Sequence, residues 1–225
     1  PIKDEEAELC EQNGIEYVEL QIAIDALTNV VNLENDWVDC LTVEQLNAIW
    51  KPGSTITSWR RVDPSLHDVR LQLYGAGTDS GTFDYFTEAI NGEAGASRTD
   101  YSATEDDNVT VQGVAGNRGG LGYFGFSYFE QNQDKLRALE VDGGSGCVAP
   151  SVETAQDGTY TPLSRPLFIY VKIDSLREKP EVEEFVRYAL ENEQRIAEEA
   201  LFVPMSRAQI DEQLTKLDAA VGATR

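Results

Sequence analysis

The chain has 225 residues, 41% of them hydrophobic, with 18 Lys plus Arg against 40 Asp plus Glu and a formal charge of −22. That is enough apolar material for one or two domains. The net negative field excludes general binding to nucleic acid or to an anionic membrane surface, and no run approaches the ~20 apolar residues of a membrane span. The first residue is Pro1 and no signal-peptide pattern follows, so the chain reads as a processed or truncated product.

In chain order, KDEEAELCEQN (3–13) predicts a helix stopped by Gly14. IEYVELQIAI (15–24) reads as a strand, continued by ALTNVVN (26–32) as one long strand or two in tandem. Thr42 with Gln45 three residues later makes a capping box for a helix that ends before Pro52. SWRRV (58–62) is ambiguous, and VRLQLYG (69–75) is a strand. GAGTDSGTFDYFTEAI (75–90) is then strand, Gly-rich turn and helix, with Phe83, Phe86, Ala89 and Ile90 at helical spacing. Residues 91–107 read as a loop with a short helix near Glu105, and NVTVQGVAG (108–116) is mixed. GGLGYFGFSYFEQN (119–132) opens as a strand, KLRALEVDG (135–143) is a strand, and 143–162 is rich in turns. RPLFIYVKI (165–173) is a buried strand, 179–201 one long amphipathic helix, and the tail holds a turn and a last helix. Strands alternating with helices give an α/β protein with a largely parallel sheet.

Asp79-Ser80-Gly81-Thr82 spells the D-S-G-T of an aspartic protease. That chemistry needs two carboxylates sharing a proton, in an all-β frame. Here there is one copy, followed by a helix. A serine nucleophile fails too, because no G-x-S-x-G surrounds Ser80. The Walker pattern is absent, since no Lys follows the glycines. The lone His67 sits in a polar stretch and reads as a surface residue. Read as a helix N-terminus, however, the same residues are an anion cradle. The first N–H groups of a helix lack intrahelical partners and carry the positive end of its dipole. Ser80 and Thr82 add hydroxyls, and Gly81 lets the backbone approach closely. Cys10, Cys40 and Cys147 form no CxxC pair, so zinc has no support, and on spacing alone their pairing stays open.

GAGTDSGTFDYFTEAI, ATEDDNVTVQGVAG, GGLGYFGFSYF, CVAPSVETAQDGTYTPLSRPLFIYV and ALFVPMS, in that order, resemble the phosphate-binding proteins of ABC transporters, the PstS and SphX kind. The resemblance runs nearly end to end. It implies a two-lobed periplasmic-binding-protein-like fold (type II) with lobe 1 incomplete. Lobe 1 would hold residues 1–24 and 161–225 and lobe 2 residues 25–160, with Ile22–Val31 and Arg165–Val171 near the crossovers. The implied function is capture of inorganic phosphate in an interlobe cleft for an ABC importer, with no cofactor, metal or turnover. The implied partners are phosphate and a membrane permease, for a monomer in the periplasm or on the extracellular face. Ser80, Gly81 and Thr82 match the family's S-G-T. Ala76 stands where the family's R-x-D-G-S-G-T version has Arg, so another cation must serve. Arg98 is the candidate, ahead of Arg60, Arg61 and Arg118; Asp79 orients rather than binds. A Cys40–Cys147 disulfide inside lobe 2 is implied, with the partner of Cys10 in a segment upstream of Pro1. The alternatives are another tetrahedral oxyanion such as sulfate or molybdate, a ligand-free interaction protein on the same fold, or, from another class, a hydrolase using Asp79 or Ser80.

Overall fold

Tyr17–Asn32 forms a single 16-residue strand, β1, in the computed structural model, which describes residues 1–222. β1 belongs to two compact units in turn. One comprises Pro1–Asp25 and the chain from Pro166 onward; the other is Ala26–Arg165.

The Ala26–Arg165 unit follows β1 with β2 (Cys40–Thr42), α2 (Val43–Trp50), α3 (Trp59–Val62), β3 (Gln72–Ala76) and α4 (Gly81–Asn91). Then come β4 (Ser102–Thr104), α5 (Asp107–Ala115), β5 (Gly120–Gly125) and α6 (Phe126–Glu130). β6 (Leu136–Ala138), β7 (Glu140–Asp142), β8 (Cys147–Val148) and α7 (Val152–Gln156) complete it. The Thr42 box forms: Gln45 N–H donates to Thr42 Oγ1 at 3.1 Å, and Thr42 N–H to Gln45 Oε1 at 3.0 Å. Strand order in the main sheet is β4-β3-β5-β1-β6. β3 lies parallel to both β4 and β5, whereas β1 runs antiparallel to β5 and β6. The sheet is therefore mixed, not largely parallel. β5 and β6 flank β1 and both run opposite to it, so they share one direction, and the connection through α6 crosses from one side of β1 to the other.

A three-stranded sheet, β2-β7-β8, is stapled by the Cys40–Cys147 disulfide (Cα–Cα 6.0 Å), as the resemblance implied. KLRALEVDG is two strands, because Leu139 breaks the run and sends β6 and β7 to different sheets. NVTVQGVAG is helix α5: Asp106 accepts the Asn108 N–H, and Thr110, Val111 and Val114 are buried. SWRRV contains the short helix α3. The core joins Trp50, Trp59, Phe83, Phe86, Leu121 and Tyr123. Within it Phe86 stacks on Tyr123 at 3.7 Å and Trp50 meets both edge-on.

The other unit holds α1 (Asp4–Gln12), the first part of β1, β9 (Ser164–Lys172) from Pro166 onward, α8 (Ile173–Glu178), α9 (Pro180–Glu191), α10 (Glu193–Glu199) and α11 (Arg207–Gly222). Gly14 takes φ +64° and ends α1, as the sequence predicts. β9 pairs with β1, and Leu20, Val171, Leu176, Val186, Leu190 and Leu217 form a core. The predicted single helix over 179–201 is two, because the chain breaks at Asn192. There both the backbone N–H and the side-chain amide of Asn192 donate to Tyr188 O, which closes α9.

Glu193, just past that break, is 2% exposed. Its Oε1 accepts the Met205 N–H at 2.8 Å, while Oε2 has no partner among the described residues. Burial pushes its carboxyl above the usual range, outweighing the lowering from Met205. The folded state thus holds this proton more tightly than the unfolded one, and stability falls as pH rises from the ordinary Glu value through the raised folded one. Glu193→Gln keeps the Oε1 acceptor and removes the charge. It is expected to raise the melting temperature at pH 7 and to flatten this part of the pH profile; a lower melting temperature at pH 7 would contradict the assignment.

Candidate functional site

β3 ends at Ala76, the chain turns through Gly77–Ser80, and α4 begins at Gly81. Because β3 and β4 are parallel, α4 and α5 both start beyond the carboxyl edge of these strands. Open α/β sheets place their ligand crevices there. The turn is held from behind. Gly77 N–H donates to Thr104 O at 3.1 Å, Ser80 N–H to Gly77 O at 3.2 Å, and Tyr101 OH to Ala76 O at 2.8 Å. The Glu105 carboxylate packs against Gly77 and would have to move to admit a Cβ there. At its far end α4 closes on Gly92, at φ 82°, where a left-handed residue is needed. The helix is fixed by burying Phe83, Tyr85, Phe86, Thr87 and Ile90.

The first turn of α4 faces outward: Thr78, Asp79 and Gly81 are exposed, and Ser80 and Thr82 are half-buried. Ser80 caps the helix, its Oγ accepting the Thr82 N–H at 3.1 Å. That bond occupies the Thr82 amide and removes it from the open donors of the first turn. The Gly81 and Phe83 N–H groups find no acceptor among the described residues. The Ser80 hydroxyl accepts through a lone pair and keeps its own proton to donate. Two amides without an acceptor, with the hydroxyl-bearing Ser80 and Thr82 beside them, thus stand in the first turn of α4, at the positive end of its dipole. This set suits a small oxyanion. The surroundings are acidic, with Asp79, Asp84, Glu105 and Asp106 close by in the fold. Asp107 is held above the usual carboxylate range by burial and by the charges of Asp106 and Glu105.

Arg98 is not brought to this turn. Its guanidinium is engaged on every side: Nε and Nη2 donate to the two Asp100 oxygens at 2.6 and 2.8 Å, and Nη1 to Ile49 O and Ile56 O, both at 3.0 Å. The same fork holds the Asp100 carboxyl below its ordinary value. Arg98 is 5% exposed and lies four residues before Ser102, the register partner of Tyr74. It therefore sits level with the amino end of β3, whereas the turn follows the carboxyl end, about 15 Å along the strand. With Asp100 and Arg70 it lines a polar cavity of about 330 Å³. The reason is topological: α2 and the segment after it deliver two carbonyls, Ile49 O and Ile56 O, that the guanidinium meets together.

The weaker candidates stand at the same amino edge. Arg60 and Arg61 lie in α3, anchored there by the Trp59 N–H to Val69 O bond, and Arg61 donates to Thr55 O at 3.0 Å. Arg118, just before β5, lies over the Trp37 ring at 5.0 Å and pairs with Asp36 at 3.8 Å. Sequence reading gives no role to Glu105, which reads as one acid in an acidic loop, although its carboxylate stands against Gly77 of the turn.

The family profile described as "PBP superfamily domain" matches residues 1–193. The chain is 49% identical over 207 residues to Protein SphX of Synechocystis sp., covering 91% of this chain and 62% of that protein. It is 39% identical over 223 residues to the phosphate-binding protein PstS of Staphylococcus saprophyticus, covering 99% of this chain and 68% of that protein. It thus spans about three fifths of the length of its SphX relatives. A crystal structure of a possible phosphate binding protein from Planctomyces limnophilus superposes with a TM-score of 0.91 at 45% identity, covering 98% of this chain and 78% of that one. The chain belongs to the PBP superfamily and, within it, is a PstS/SphX-like protein.

Proposed function

We propose that the open first turn of α4 captures inorganic phosphate reversibly, without covalent chemistry. The ion would be held for an ABC importer whose membrane permease is the partner. The observation that carries the reading is the exposed turn itself: Gly81 and Phe83 offer unpaired N–H groups beside the Ser80 and Thr82 hydroxyls. Such donors replace the water shell of a tetrahedral oxyanion through short-range hydrogen bonds, which outweigh screened surface charge at physiological salt. Relatives named SphX and PstS, the latter as phosphate-binding proteins, support phosphate among the oxyanions. In the same reading the protein works as a monomer in the periplasm or on the extracellular face, where the Cys40–Cys147 bridge persists. Ala26–Arg165 then serves as lobe 2, and the other unit belongs to lobe 1.

Calorimetry on the full-length protein with phosphate, sulfate and molybdate tests this, alongside a release assay with a phosphomonoester. Saturable phosphate binding, weaker sulfate and molybdate, and no product release are expected. Turnover at Ser80 or Asp79 would replace the reading with a hydrolase. Stronger sulfate or molybdate binding would change the ion, and no binding of any oxyanion would leave an interaction protein on the same fold.

A further inference from the structure

Among the described residues, Leu201 is the one non-glycine residue with a positive φ, 61°. A left-handed conformation is strained for a residue with a Cβ, so its surroundings must hold it. Leu201 lies in the link 200–206 between α10 and α11, which is fixed at three points. Phe202 N–H donates to Ala197 O at 2.9 Å and closes α10. Val203 exchanges two backbone bonds with Ile24 of β1, at 2.9 and 3.0 Å. Met205 N–H donates to Glu193 Oε1 at 2.8 Å. Ile24 stands one residue before Asp25, where β1 leaves this unit for Ala26–Arg165. The link therefore clasps β1 beside its crossing, and the Glu193 carboxyl pins the link two residues further on.

Ile24, Val203, Met205 and Glu193 are all buried. The neutral acid accepts the Met205 N–H and leaves one hydroxyl unsatisfied, a smaller penalty than a bare charge in the same place. The anion has no compensation. Glu193 makes no ion pair among the described residues, and the charge that bears on it is Glu198 of its own helix, of the same sign. α9, α11 and β1 bring no charged group to it. Water reaches the carboxylate by displacing the group bonded to it, which is the Met205 end of the link. The strain at Leu201 acts in the same direction, because it is relieved when the link opens.

We infer that the proton on Glu193 keeps the 200–206 link closed on β1, and that its loss releases Val203 from Ile24, making a pH-dependent clasp beside the crossing between the two units. Burial holds this carboxyl above its ordinary range, so the closed state binds the proton more tightly than the open one. Opening therefore increases as pH rises from the ordinary Glu value through the raised one, and then levels off. Amide hydrogen exchange in the full-length protein, corrected for intrinsic rates, tests this at Ile24 and Val203. Opening there is expected to rise by up to about tenfold per pH unit across that window. Glu193→Gln keeps the acceptor and cannot ionise, so both amides should keep their low-pH protection throughout. The opening is local, so at the alkaline end dilute urea should leave exchange at these two amides unchanged while accelerating it at Leu190, inside α9. Protection of Ile24 and Val203 that is flat with pH in wild type overturns the clasp. So does a pH dependence that persists in Glu193→Gln, or a urea dependence equal to that of Leu190. Should the Gln variant not fold, the pH and urea profiles of wild type decide alone.

Discussion

Replacing Cys40 or Cys147 with serine is expected to destabilise the Ala26–Arg165 unit by about 4–5 kcal/mol, the largest single effect anticipated in this protein. The bridge closes a sequence separation of 107 residues, and a loop that long removes much conformational freedom from the unfolded chain. It also joins β2 to β8, the outer strands of the three-stranded sheet, through which β7 pairs on both sides. Strands of two and three residues cannot hold such a sheet by their ladder alone. Urea unfolding with and without reductant measures the effect. Wild type in reductant should match the serine variant, while Cys10→Ser should leave the oxidised protein unchanged, since Cys10 is free. A loss below about 1 kcal/mol would mean that the ladder and core carry this sheet without the bridge.

Arg98→Ala should act on stability and hardly on binding. Removing the fork leaves Ile49 O and Ile56 O without their donor and releases Asp100, at a cost of about 3 kcal/mol. Phosphate affinity of the folded variant is expected to stay within about threefold of wild type, because the guanidinium sits at the other end of β3 from the turn. Lysine at position 98 should fail in the same way, since one ammonium cannot meet two carboxylate oxygens and two carbonyls in that geometry. A large loss of phosphate affinity in a fully folded Arg98→Ala protein would return Arg98 to the site.

Much of the fold is legible in the residues because local and tertiary signals agree. Gly14 ends α1, the Thr42 box starts α2, and Phe83, Phe86 and Ile90 bury one face of α4. Where they disagree, reading fails in identifiable ways. α5 carries Val109, Thr110 and Val111, β-branched residues that suit a strand; the Asp106 cap and burial of Thr110, Val111 and Val114 against the sheet make it a helix. Gly113 looks like a breaker, yet it is required, because a Cβ there would strike the Tyr74 ring. The break at Asn192 depends on side-chain and backbone bonds to Tyr188 that spacing does not reveal. The candidate site divides the same way. Ser80, Gly81 and Thr82 are contiguous and follow a strand, so their place at a helix mouth is readable. Arg98 is also near that helix in sequence, but parallel crossover carries it to the opposite edge of the sheet. Glu105 lies 28 residues after Gly77, and only the fold sets its carboxylate against that turn.

Gly81→Pro gives the most direct test of the anion cradle. Proline is well tolerated at the first position of a helix, and Ser80 already holds the extended conformation (φ −100°, ψ 132°) that a following proline demands. No heavy atom lies within 4 Å of a Cβ at position 81, and the proline ring takes the place of the N–H that the cradle needs. Titrating phosphate into full-length Gly81→Pro should show affinity reduced by about tenfold or more with an unchanged melting temperature, while Gly81→Ala, which keeps the amide, stays within about threefold of wild type. A folded proline variant that binds phosphate as tightly as wild type would contradict the account.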